Sequence, residues 1–278
     1  MNQLLKVSDL SISVAAELDK QLVKNISFSL QSGKTTCIVG ESGSGKSLTA
    51  LSIMGLLSKQ LKRVSGQIDF QGEDLTKLDG LALQKIRGGR IGMIFQEPMT
   101  SLNPVLTIGY QIGETLTQHL GMKGKLLKDK VDFLLEQVGI PSNRANSYPD
   151  ELSGGQRQRV MIAMSIACEP AMLIADEPTT ALDVTVQAQI LKLLHELKGR
   201  MNMAMLFITH DFGVVSDIAD DVVVMFRGEI VEYGKVNDVL GNPSHPYTKA
   251  LLACVPDADG KKALKPIDYS WINEFKGA

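Results

Sequence analysis

Eight consecutive residues, Gly40-Glu41-Ser42-Gly43-Ser44-Gly45-Lys46-Ser47, carry the clearest chemistry in this chain. They follow a β-branched run, precede a helical pattern and match the spacing G-x-x-x-x-G-K-[ST]. Glycines in such a loop let successive backbone N–H groups turn inward on a polyanion, and the helix that follows adds its positive end. The Lys46 ammonium can then reach the outer phosphates, and the Ser47 hydroxyl can ligate Mg2+. Gly40, Glu41, Ser42, Gly43, Ser44, Gly45, Lys46 and Ser47 are therefore expected to form a nucleotide phosphate site rather than a Gly/Ser connector. The loop alone does not name the base. The absence of an Asn-Lys-x-Asp guanine reader favours ATP.

A second cluster follows an apolar run. Ala171-Met172-Leu173-Ile174-Ala175 leads into Asp176-Glu177, and acids at the carboxyl edge of a buried parallel sheet stand where ligands bind. Asp176 suits a residue that holds Mg2+ through its water shell, and Glu177 suits a base that orients an attacking water. Taken alone, the pair reads more simply as a cap on the next helix or turn. Just upstream, Leu152-Ser153-Gly154-Gly155-Gln156 opens a helix carrying Arg157 and Arg159. It is either a Ser-capped helix start or a second anion-binding nest, most useful to a nucleotide on another subunit. His210, after Phe207-Ile208-Thr209, reads in isolation as a satisfied histidine at a strand end. His119, His195 and His245 carry the same reading, with His195 expected to pack beside an apolar stripe.

These residues need a parallel sheet to position them. Short β-branched runs alternate with helical patterns, an α/β arrangement. Strands are expected at Leu4–Val7, Ser27–Leu30, Thr35–Val39, Gln67–Phe70, Ile91–Phe95, Met172–Ala175, Met203–Ile208, Val222–Phe226 and Ile230–Glu232. The nearly all-apolar runs at 37–39, 173–175 and 206–208 suit strands covered on both faces, and the outlying strands suit antiparallel hairpins. Helices are expected at Ser47–Leu57, Lys128–Val138, Gly155–Ala167 and Val184–Lys198. In the last, Ile190, Leu193, Leu194 and Leu197 form a buried stripe. A helical insertion is expected over about 97–168, and a Pro-punctuated tail beyond Gly241 in which His245–Leu252 is expected to form a Pro-initiated helix packing on the core.

Composition removes other classes. The chain has 278 residues, 44% hydrophobic and 22% charged, with 29 basic and 31 acidic residues giving a net charge of −2. That balance leaves no general electrostatic footprint for nucleic acid. No run reaches the roughly 18 apolar residues a membrane span needs, and no targeting pattern opens the chain. Cys37, Cys168 and Cys254 lie far apart without zinc spacing, so they are expected to be reduced, mostly buried thiols.

With these motifs in order, the sequence resembles the ABC transporter ATP-binding family over about residues 4–256. Gly40–Ser47 resembles its Walker A loop and Gln96, in Ile94-Phe95-Gln96, its Q-loop glutamine. Leu152–Gln156 is similar to the signature motif, and Leu173–Asp176 with Glu177 to the Walker B strand and catalytic glutamate. Ala181-Leu182-Asp183 resembles the D-loop, and His210 the switch histidine.

The resemblance implies a RecA-like P-loop NTPase core with an N-terminal antiparallel β subdomain and an inserted α-helical subdomain. It implies catalytic roles for Glu177, His210 and Lys46, and Mg2+ held by Ser47, Gln96 and Asp176. ATP contacts would come from Gly40–Ser47 and Gln96 and, across a head-to-tail dimer, from Ser153, Gly154, Gly155, Gln156 and Asp183. His210 would contact the γ-phosphate, and Gln96 would link the core to the helical subdomain.

A finer resemblance, to the oligopeptide, dipeptide and nickel importer branch, rests on Phe95–Pro104, Ala175–Asp183 and Asn242–Leu252. It implies a C-terminal extension at 241–278, a second ATPase subunit (a paralogue or a copy of this chain) and two transmembrane permease subunits. An extracytoplasmic solute-binding protein would act indirectly. The chain would sit at the cytoplasmic face of the inner membrane, docking through the helical insertion. Cys254 alone in the extension argues against an iron–sulfur centre. The family usually offers an aromatic near the start to stack on adenine. No aromatic precedes Phe28 here, and Val14 stands in the corresponding stretch, so looser base selectivity is expected.

Overall fold

The computed structural model describes residues 3–96, 101–180, 182–254 and 269. Residues 97–100 of the branch pattern, Ala181, Trp271 and most of the 241–278 extension lie outside the described residues. The strands are β1 Gln3–Val14, β2 Glu17–Gln31, β3 Thr35–Val39, β4 Leu61–Phe70, β5 Glu73–Asp74, β6 Ile91–Ile94, β7 Met172–Asp176, β8 Ala204–Thr209, β9 Asp221–Phe226 and β10 Glu229–Lys235. The helices are α1 Lys46–Ile53, α2 Gly80–Ile86, α3 Ile108–Leu120, α4 Gly124–Gln137, α5 Gly154–Ile166, α6 Val184–Met201, α7 Phe212–Ile218, α8 Val236–Gly241 and α9 Pro246–Ala253. The chain divides into two compact units.

One unit comprises Gln3–Leu30, Lys34–Asp74 and Ile208–Ala278 and holds the phosphate loop. Its antiparallel sheet has the order β2-β1-β4-β5, with β1 and β4 in register from Leu5↔Phe70 to Val14↔Leu61. Ile26, Phe28 and Leu30 turn inward from β2 while its first five residues stay exposed. The expected pieces at 4–7, 27–30 and 67–70 are thus only parts of longer strands. Asp9 and Asn25 adopt φ of 51° and 50°, and the β1–β4 register is irregular between Ser8 and Ile12. Such bulges break the two-residue period on which a strand is recognised.

In the same unit the order is β10-β9-β3, with β3 parallel to β9 and β9 antiparallel to β10. β3 is wholly buried, as its apolar run requires. Helix α1 ends at Ile53, short of the expected Leu57. The helix expected within His245–Leu252 forms as α9. His245 caps it, its Nδ1 accepting the Tyr247 N–H at 3.1 Å, and Tyr247 and Thr248 are fully buried.

The other unit spans Gln31–Gly33 and Leu75–Phe207 and holds the carboxylate pair. Its strand order is β8-β7-β6, with β6 and β7 parallel and wholly buried. Helix α5 is tied to this sheet where the Ser165 hydroxyl donates to Met93 O at 2.8 Å. Helices α2 and α3 were not expected individually. Thr107 caps α3, accepting the Tyr110 N–H. Helix α6 buries Ile190, Leu193, Leu194 and Leu197 as the stripe predicts, but His195 is exposed. At about 100° per residue, His195 is turned off the stripe set by Leu194. The cysteines are free, with Cys37 buried and Cys168 and Cys254 half-buried.

Candidate active site

The phosphate loop leaves the buried end of β3 at Gly40. There φ is 149°, and a Cβ would lie 2.1 Å from Met225 O, so the approach of β9 admits no side chain. Lys46 is only 4% exposed, and its ammonium donates to Gly40 O and Glu41 O, both at 2.8 Å. The Ser44 N–H bonds Glu41 O at 3.2 Å, and the Gly228 N–H from the β9–β10 turn donates to Ser44 O at 3.1 Å. Gly45, at φ 102°, begins α1 without a side-chain cap. The Ser44 hydroxyl is buried and has no hydrogen-bond partner among the described residues. An ammonium inside the loop, an orphan hydroxyl and an uncapped helix start fit a polyphosphate. Glu41, Ser42, Gly43 and Ser44 also border a cavity of about 350 Å³ with Phe226, Arg227 and Tyr269. Tyr269 donates to Glu41 Oε1, a bond that pushes its phenol up to about 12.

The carboxylate site follows from strand register. Ile94 lies opposite Ala175 in the β6–β7 ladder, so Gln96 and Glu177, each two residues on, emerge together. Gln96 Nε2 donates to Glu177 Oε2 at 3.2 Å, and the Thr180 hydroxyl donates to the same oxygen at 2.9 Å. Asp176 is 4% exposed at the end of β7. Glu177 takes φ 47°, a left-handed conformation that a non-glycine residue holds only when its surroundings dictate it. The carboxylate is thus preset by a strained backbone and two donors. Thr180 escaped the sequence reading. Its position three residues after Glu177, in the same turn, was the available signal.

Ser153 and Gln156 satisfy each other across the start of α5. Ser153 Oγ accepts the Gln156 N–H at 3.4 Å, and Gln156 Oε1 accepts the Ser153 N–H at 3.0 Å. The cap therefore forms, and it leaves Ser153 and Gly154 exposed at a helix N-terminus. A Cβ on Gly155 would lie 2.7 Å from Val186 Cγ1, so the signature helix packs directly on α6. Asp183 caps α6, accepting the Val186 N–H at 2.9 Å. His210 is exposed between β8 and α7, whose start is capped by Asp211.

One unit thus assembles Gln96, Asp176, Glu177 and Thr180 and presents Ser153 to solvent. The other assembles Lys46, Ser47 and their loop, with His210 in its own strand-to-helix turn. A family profile described as ABC transporter matches residues 23–180, and one described as Oligopeptide/dipeptide transporter, C-terminal region, matches residues 231–273. This chain belongs to the ABC transporter ATP-binding family.

Members of this family are ATPases, and this cassette hydrolyses ATP. It is 48% identical to the dipeptide transport ATP-binding protein DppD of Bacillus subtilis, over 96% of this chain and 82% of that protein. It is also 48% identical to the oligopeptide transport ATP-binding protein OppD of the same organism, over 96% and 76%. Among solved structures, the ATP-binding cassette MJ0796, in a dimeric post-hydrolysis state bound to ADP and Pi, superposes with a TM-score of 0.74. That match has 28% identity and covers 84% of this chain and 98% of that one. The fold is accordingly the ABC ATPase fold. Among the described residues, no helix is long and apolar enough to cross a membrane.

Proposed function

We propose that this ATPase drives uptake of oligopeptides or dipeptides. It would work as a head-to-tail dimer with a second ATPase subunit, a paralogue or a second copy, on two transmembrane permease subunits. The match of residues 231–273 to the oligopeptide/dipeptide transporter C-terminal region carries the peptide assignment, and the named relatives support it. In this reading the chain lies at the cytoplasmic face of the inner membrane, and an extracytoplasmic solute-binding protein selects the peptide. A cavity of about 700 Å³ among α3, α4 and the turn Ser142–Asn146 supports docking of a permease on the helical insertion. Tyr110, Leu127 and Val131 contribute to its lining.

The residue roles follow the chemistry of each group. Lys46, with the backbone N–H groups of Gly40–Ser47, binds the phosphates. Glu177 is the base that orients water, with Gln96 and Thr180 holding one oxygen so that the other is aimed. His210 and the partner's Ser153–Gln156 and Asp183 complete the phosphate environment. Mg2+ would supply charge neutralisation at the phosphates, and the hydroxyl, amide and carboxylate oxygens of Ser47, Gln96 and Asp176 are the hard donors it prefers. Glu177→Gln keeps the shape and removes the base. We expect loss of phosphate release with ATP binding retained; wild-type release in this variant would overturn the assignment.

A further inference from the structure

The phosphate loop is held from outside by a residue with no role in the site described above. Tyr247, in the first turn of α9, is fully buried, and its ring packs on Phe226 with centroids 4.3 Å apart. A phenylalanine would supply that packing equally. The hydroxyl has a separate task, since its oxygen accepts the Glu41 N–H at 3.0 Å.

That N–H belongs to the same peptide unit as the Gly40 carbonyl, which accepts the Lys46 ammonium at 2.8 Å. A peptide unit is one rigid plane, so Tyr247 holds one edge of it and Lys46 the other. The plane is otherwise easy to turn, because its carbonyl side is a glycine, for which conformations on both sides of φ = 0 are accessible. Were the Lys46 ammonium to turn to a phosphate, its hold on Gly40 O would weaken, and the Tyr247 bond would still fix the other edge of the plane.

We propose that Tyr247 is a positioning residue for ATP, fixing the Gly40–Glu41 peptide so that Lys46 and the loop amides are oriented before nucleotide arrives. Residues 231–273 would then serve the nucleotide site directly. Tyr269, from the same stretch, adds a second bond to Glu41 through its carboxylate. The proposal rests on Gly40–Ser47 being the nucleotide site.

The test is equilibrium binding of ADP, which avoids turnover, to the 278-residue chain. Tyr247→Phe retains the ring and removes the acceptor. Loss of one such hydrogen bond should weaken ADP binding about three- to tenfold. Thr248→Val is the control, since Thr248 is buried in the same helix and its hydroxyl has no hydrogen-bond partner among the described residues; its ADP affinity should stay at the wild-type value. Lys46→Ala tests the underlying reading, and undiminished ADP binding by that variant would refute the phosphate loop itself. If Lys46→Ala loses ADP while Tyr247→Phe binds like Thr248→Val, the loop stands and the positioning role is overturned. Hydrogen exchange on the wild-type chain needs no variant. The Glu41 amide should be protected before nucleotide is added, and unprotected exchange there would also overturn the proposal.

Discussion

At the scale of single residues, the site shows how a carboxylate is aimed. Glu177 Oε2 takes two donors, from Thr180 at 2.9 Å and Gln96 at 3.2 Å, so rotation of the carboxylate costs two hydrogen bonds. A hydrogen bond to a charged group contributes more than a neutral one, about 1.5–3 kcal/mol. Thr180→Val is nearly isosteric and removes one of the two. We expect kcat to fall about tenfold with little change in the KM for ATP, because with Glu177 as the proposed base the lost bond would orient the reacting group rather than hold nucleotide. Thr180→Ser should recover most of the rate. A Thr180→Val enzyme whose KM rises while kcat stays at wild type would show that the hydroxyl serves binding instead. The motifs around Lys46, Asp176 and Glu177 stand out in the sequence because their spacing is local and each follows a recognisable strand, whereas Gln96 enters only through the family resemblance. The bond from Tyr247 was not legible, since a hydrogen bond across 206 residues of chain is set by packing and leaves no local pattern, whereas the Thr180 bond is local and only its spacing from Glu177 hints at it.

At the scale of elements, legibility followed burial. Strands β3, β7 and β8 are buried at every residue and were read almost to their ends. Strands β1, β2 and β4 mix exposed polar residues with bulges and were read only in part. Helix α9 was recognised from its proline, but its cap carries a pH dependence that composition could not reveal. Burial lowers the pKa of His245 below 6.5, against the opposing pull of Glu232, and its Nδ1 must be unprotonated to accept the Tyr247 N–H. The unfolded chain therefore binds the proton more readily, so this contribution is complete above about pH 6.5 and is lost as pH falls through the lower folded value. Thermal stability should decline between pH 7.5 and 5.5 more steeply in the wild type than in His245→Asn, whose side chain caps without titrating. Equal slopes for the two proteins would remove His245 from the account. His119, also lowered by burial, would continue to act in both.

At the scale of the whole molecule, the question is where Ser153 acts. In a head-to-tail dimer the signature of one chain serves the nucleotide held by the other, so this chain's own loop should bind without it. Ser153 also caps α5, and a careless substitution would confuse unfolding with lost catalysis. Ser153→Asp separates the two. Aspartate caps a helix as well as serine, and its charge suits the positive helix start. The same charge would face the partner's phosphates and repel them. The isolated Ser153→Asp chain should keep wild-type thermal stability and wild-type ADP affinity. In the assembled ATPase pair, turnover at the partner's phosphate loop and the ATP-driven gain in mass by light scattering should both be lost. If the isolated variant instead loses ADP as Lys46→Ala does, the signature serves its own chain's nucleotide and the head-to-tail arrangement is wrong. Normal turnover by the assembled variant would remove Ser153 from the site altogether. The exposed position of Ser153 and Gly154 favours the first outcome, because a helix start shaped for an anion is left open to a second molecule.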